Sequence, residues 1–90
     1  MKIEPTHENF ASHRQFTLTD ITAEQIEQRL GFPGDAPDDS AKVVNSWRFT
    51  VDGEPCAIWD YYGSHERNEF SAWGNASAIC AALNLKKLSP

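Results

Sequence analysis

The sequence predicts an α+β fold: one small domain, residues 1–90, built as helix, three-stranded antiparallel meander and helix, with a short N-terminal edge strand. Three observations predict it. Ile26 and Leu30 stand four apart behind a helix-start signal. Two alternating runs flank Asp52-Gly53, a dipeptide that favours the tight turn of a hairpin. Ninety residues with 40% hydrophobic content can form one core and not two. Strands enclosed between two helices belong to the α+β class.

Residues 1–14 are polar, with Phe10 the one large apolar side chain after Ile3, and are expected to be irregular. Phe16 and Leu18 alternate with Gln15 and Thr17, which suits an edge strand. The first helix is expected near residues 22–30. Thr22 and Gln25 form a capping-box pattern, and Ile21 and Ile26 have the spacing of a hydrophobic staple. Gly31 supplies a left-handed stop, Phe32 can fold back on the last turn, and Pro33 prevents continuation. Residues 31–41, GFPGDAPDDSA, are a loop by their Pro, Gly and Asp content.

A two-residue turn at Asp52-Gly53 sets a register. Val51 opposes Glu54, Phe49 opposes Cys56, Trp47 opposes Ile58 and Asn45 opposes Asp60. On the other face Arg48 opposes Ala57, Ser46 opposes Trp59 and Val44 opposes Tyr61. Pro55 falls opposite Thr50 in a non-hydrogen-bonded pair, where its missing N–H costs nothing. Residues 63–68 form a polar turn, residues 69–73 a third strand that Gly74 ends, and Asn75 caps a final helix, ASAICAALNL. Lys86 and Lys87 near its end suit the helix dipole.

The formal charge is −5, which opposes direct nucleic-acid binding and attraction to anionic membranes. Residues 20–39 carry the whole surplus: Asp20, Glu24, Glu27, Asp35, Asp38 and Asp39 against Arg29. This is either a solvated surface or a patch for a partner with a basic surface. No apolar run is long enough to span a membrane or to serve as a secretory signal, so a cytoplasmic location is expected. Cys56 and Cys80 are expected to be reduced, and neither stands at metal-ligand spacing. Asp35, Asp38 and Asp39 do not match a calcium loop and suit turn chemistry. No cofactor and no catalytic constellation are expected.

The hairpin register puts Trp47, Phe49, Cys56 and Ile58 on a core face and Trp59 and Tyr61 on the other, where Trp73 can join them. Two short helices cannot cover both faces. The second face is either covered by the N-terminal segment through Phe10 and Phe16, or exposed as an aromatic interface. Asp60, between Trp59 and Tyr61 on a central strand, needs hydrogen-bond partners, from Asn45 or the Gly63-Ser64 turn. The enzymatic alternative is a small-molecule pocket near Asp60 with His65 or Arg67 at its rim.

The run Trp47-Arg48-Phe49-Thr50-Val51-Asp52-Gly53-Glu54-Pro55-Cys56-Ala57-Ile58-Trp59-Asp60-Tyr61, with Gly63-Ser64, Phe70-Ser71 and Gly74, resembles small accessory proteins carried by bacteriophages and prophages. The similarity covers roughly residues 20–75, and the Cys-x-Ile-Trp-Asp-Tyr stretch is its most distinctive piece. Tyr62 and the turn at 65–68 depart from the pattern. The resemblance implies a setting, not an activity: a non-enzymatic inhibitor in the bacterial host cell that binds and blocks a host protein. CRISPR and other defence components are such targets, and anti-CRISPR proteins are a prominent class of such inhibitors. The expected binding residues are Trp59, Tyr61 and Trp73 as anchors, with Asp35, Asp38, Asp39, Glu24 and Glu27 for steering. A homodimer or self-assembling structural protein, using the aromatic face as a self-interface, is the third reading.

Overall fold

The computed structural model describes residues 1–6, 8, 13–38, 41–65 and 67–86, and for Ser64 and His65 the backbone alone. The elements in chain order are strand β1 (Ile3–Pro5), strand β2 (Phe16–Leu18), helix α1 (Ala23–Leu30), strand β3 (Val43–Val51), strand β4 (Glu54–Tyr61), the single-turn helix α2 (Tyr62–His65), strand β5 (Phe70–Gly74) and helix α3 (Ala76–Leu83). The α+β class holds, but the sheet has five antiparallel strands in the order β1-β3-β4-β5-β2, two more than the expected meander. No helix among the described residues is long and apolar enough to cross a membrane.

Local chemistry sets both long helices. The Thr22 hydroxyl accepts the Gln25 N–H at 3.1 Å, and Gln25 Oε1 accepts the Thr22 N–H at 2.9 Å, closing the capping box. Gly31, at φ 93°, ends α1 in the left-handed conformation. Asn75 caps α3 by accepting the Ala78 N–H at 3.0 Å. At the far end Asn84 turns left-handed, so α3 stops at Leu83, two residues before the apolar pattern does. The cation that reaches this C-terminus is Arg29 of α1, whose Nη1 donates to the Leu83 carbonyl at 2.8 Å. Lys87 lies outside the described residues.

The hairpin has the expected register from Val51↔Glu54 to Asn45↔Asp60, with one correction at its open end. Val43, not Val44, pairs with Tyr61, because the register shifts between Val43 and Asn45. This bulge turns Val43 onto the Ala57 and Trp59 face and leaves Val44 exposed. A further correction concerns the N-terminus. Residues 3–5 are not irregular: they pair as β1 with β3, Ile3 opposite Val51 and Pro5 opposite Phe49. At the start of the polar turn, residues 62–65 wind into a single helical turn. The edge strand at 16–18 is present and pairs with β5. Strands β1 and β2 flank opposite edges of the sheet.

The core lies on one face. Trp47, Phe49, Val51, Cys56, Ile58, Phe70 and Ala72 meet Ile26 and Leu30 of α1 and Ile79, Ala82 and Leu83 of α3. Phe16, which in one of the two readings covers the opposite face with Phe10, packs here instead, and Phe10 lies outside the described residues. Each such large side chain, fully withdrawn from water, contributes about 1.5–3 kcal/mol. The Trp47 and Phe70 rings meet edge to face at 6.1 Å, and Phe32 meets Phe49 likewise at 6.3 Å.

Candidate functional site

The second face of the sheet is built differently. Ser46, Arg48, Ala57, Trp59 and Ser71 are all buried, so its centre mixes polar and apolar side chains. Part of the cover is the arm formed by residues 34–38. Gly34 and Ala36 pair with the free edge of β3: Ser46 N–H donates to the Gly34 carbonyl at 3.1 Å, and Ala36 N–H donates to the Ser46 carbonyl at 3.0 Å. Gly34 lies flat on Trp47, where a Cβ would come within 2.6 Å of the ring, so no larger residue fits without displacing the arm. The Trp47 indole N–H donates to the Phe32 carbonyl at 3.1 Å, fixing the same segment from the core side.

Past Gly34 the arm turns around the edge of β3. Asp38 accepts the Ser46 hydroxyl at 3.0 Å and stands 3.5 Å from the Arg48 guanidinium. Arg48 is only 7% exposed, so this pair neutralises a charge on the sheet's second face that would otherwise be costly to bury. The acidic stretch of the sequence is therefore not one patch. Asp35 and Asp38 belong to the arm, whereas Glu24 and Glu27 are exposed on α1, the helix that covers the core face. Asp39 lies outside the described residues.

The aromatic residues also separate. Trp59 is 7% exposed and forms the floor of a small cluster with Val43, Ala57 and the half-buried Trp73. Tyr61 stands over it, ring edge to ring face at 6.5 Å and 87°, and is 41% exposed. Tyr62, the next residue in the chain, is 57% exposed, and Val44, pushed out by the bulge, is 37% exposed. Tyr62 is fixed through its N–H, which donates to the Lys42 carbonyl at 3.0 Å. The exposed large apolar side chains among the described residues are thus Val44, Tyr61 and Tyr62, with Met1 at the start of the chain, not the Trp59, Tyr61 and Trp73 set that alternation alone suggests. Next to Val44 opens a cleft of about 290 Å³ lined by Gly34, Asp35, Ala36, Pro37, Asp38, Val43, Val44 and Ser46. Its walls are mixed: Ala36, Pro37, Val43 and Val44 are apolar, Ser46 is polar, and its charged groups are two carboxylates.

Asp60 is fully buried and structural. Its carboxylate accepts the Asn45 backbone N–H at 2.6 Å and the Asn45 side-chain amide at 3.1 Å, which ties down the strand where the bulge interrupts the ladder. Of the rim residues of the pocket expected there, Arg67 is turned to the Gly63 carbonyl at 2.9 Å and to Glu69 at 3.3 Å. The His65 side chain lies outside the described residues. The Cys56 side chain is buried in the core. Burial pushes its thiol up to about 11, aided by the Glu54 charge and opposed by a hydrogen bond with the Asn75 backbone, so thiolate is scarce at neutral pH. Among the described residues, no three His, Cys, Asp or Glu side chains gather where a cation could sit.

No family model matches the chain, and neither a curated protein nor a solved structure matches it. The reading of function therefore rests on the geometry of this surface.

Proposed function

We propose that this protein is a binding domain that blocks a host bacterial protein in the cytoplasm, in the manner of a phage inhibitor of host defence. The observation that carries the reading is the exposure of Tyr61, Tyr62 and Val44, with Val44 also lining the cleft that holds Asp35 and Asp38. Tyrosines over a rigid apolar floor are frequent anchors in protein interfaces, because they supply large contact area at low entropic cost. Carboxylates at the edge of such a patch steer a basic partner and sharpen specificity. Trp59 supports Tyr61 from below and Trp73 flanks that floor, so both act through the shape of the surface.

The test is capture from bacterial lysate by the tagged protein at low and high salt, followed by reconstitution of the complex with the captured protein purified. The expected result is one dominant protein whose binding weakens as salt rises and falls at least tenfold with Tyr61→Ala in a folded variant. Unchanged binding by that variant overturns the assigned surface. A stable homodimer whose contact buries Tyr61 would replace this reading with self-assembly.

A further inference from the structure

The tip of the central hairpin carries chemistry that the binding surface does not use. We propose that Asp52 is a site of spontaneous modification, where the chain isomerises through a succinimide to an isoaspartyl linkage, and that strand β1 is the clasp that restrains it. Three observations carry this. Asp52 precedes Gly53, the one Asp-Gly pair in the sequence, and a glycine offers the least hindered backbone nitrogen to the carboxyl before it. Both residues are exposed, open space surrounds the position a Gly53 Cβ would take, and among the described residues no acceptor meets the Gly53 N–H. Asp52 Oδ1 accepts the Lys2 backbone N–H at 2.7 Å, and the Asp52 N–H donates to the Lys2 carbonyl at 2.8 Å, so the residue before β1 holds the carboxylate. The reaction balances with water alone. The Gly53 nitrogen bonds to the carbon of the protonated Asp52 carboxyl, the amide proton and the hydroxyl leave as one water, and the five-membered ring closes. Water then adds to a ring carbonyl. Opening at the backbone carbonyl leaves the chain running through the Asp52 side chain, longer by one methylene. That lengthens a two-residue turn whose size sets the hairpin register. It also moves the carboxylate onto Cα, away from the Lys2 N–H. Strand β1 meets β3 over three residue pairs, Ile3 to Pro5, so loss of the clasp releases it.

The experiment ages the full purified chain at neutral pH and body temperature and maps isoaspartate by proteolysis, chromatography and fragmentation mass spectrometry. The expected result is isoaspartate accumulating at Asp52 at least fivefold faster than at Asp20, Asp35, Asp38, Asp39 or Asp60. In the isolated isoaspartyl form, the amides of Lys2 and Thr6, which donate to Asp52 and to the Arg48 carbonyl, should exchange with deuterium at least tenfold faster. The amides of α3 should keep their protection, which separates release of β1 from unfolding of the domain. Lys2→Pro removes the N–H that holds the carboxylate and should speed isoaspartate formation at least threefold. Gly53→Asn tolerates the left-handed turn at φ 86°, places its side chain in open space beside the attacking nitrogen, and should slow formation at least fivefold. Isoaspartate at Asp52 no faster than at the other aspartates, or an unchanged rate in Gly53→Asn, overturns the site. An unchanged rate in a folded Lys2→Pro chain overturns the clasp, as does unaltered exchange at Lys2 and Thr6 in the isoaspartyl form. If Lys2→Pro loses the protection of α3, that exchange measurement alone decides the clasp.

Discussion

The two faces of the sheet are made from the same strands and solve burial in opposite ways. On one face, Trp47, Phe49, Ile58 and Phe70 are closed over by the apolar stripes of α1 and α3, and helix and sheet seal each other. On the other, Arg48, Ser46 and Ser71 are buried beside Trp59 and Ala57, and an ion pair from the arm neutralises what apolar packing would exclude. The first arrangement needs only matching hydrophobic surfaces. The second needs named partners at named places, and it stops at one end, where Tyr61, Tyr62 and Val44 remain exposed. Stability is concentrated on the sealed face, and the surface available for recognition is concentrated on the other.

The sharpest way to break this contrast is to damage each face in turn. Phe49→Ala should cost about 3–5 kcal/mol in urea unfolding, since it removes a fully buried ring from the centre of the sealed face. A loss under about 1 kcal/mol would mean that the helical layer does not carry the fold. Asp60→Ala should cost about 1–3 kcal/mol by stranding the Asn45 N–H at the bulge. On the second face, Asp38→Ala should cost about 1–2 kcal/mol, because Arg48 keeps its charge and loses its partner. Replacing the pair together, Arg48→Met with Asp38→Asn, should recover most of that loss. If the double variant is no better than the single one, the pair is not what holds the arm.

Two smaller effects sharpen the comparison. Cys56 sits on the sealed face, where burial raises its thiol from an ordinary 9.0 to about 11. Between these values the unfolded chain releases a proton that the folded chain keeps, so stability should fall as pH rises through that window. Cys56→Ala should flatten the slope in pH-dependent denaturation. Smallest of all, Tyr61→Ala should change stability by no more than about 0.5 kcal/mol, because its ring is partly in solvent. A large loss would show that Tyr61 covers the second face rather than standing on it.

What could be read in advance from the amino acids follows how far apart the interacting residues lie. The capping box at Thr22 and Gln25, the stop at Gly31, the Asn75 cap and the Asp52-Gly53 turn are chemistry within a few residues, and each is where the pattern puts it. Most of the hairpin register follows from that turn. The bulge does not, because Val43 and Val44 are identical in kind and alternation cannot tell which one Tyr61 faces. Strand β1 is three residues long and meets its partner at Val51, so no local pattern marks it. The arm 34–38 carries turn residues that say loop. Its pairing with Ser46 depends on Gly34 lying against Trp47, a fit visible only in three dimensions. For the site, the acids and Tyr61 were legible as surface candidates. The burial of Trp59, the exposure of Val44 and the split of the acidic run between two sides of the sheet depend on the bulge and the arm.

The placement of β1 and β2 has a consequence for synthesis on the ribosome. The first twenty residues contain both edge strands, but β1 pairs with Thr50 and Val51, and β2 pairs with Phe70 to Ala72. The earliest part of the domain to emerge therefore waits unpaired, β1 until residue 51 has followed and β2 until residue 72 has. The hairpin around Asp52-Gly53 has no such delay, since its partners emerge within moments of each other and close a short loop. Folding would begin in the middle of the chain and spread outward, with β2 docking only after β5. A nascent chain stalled before residue 70 should expose β2 to proteases while the hairpin is already protected.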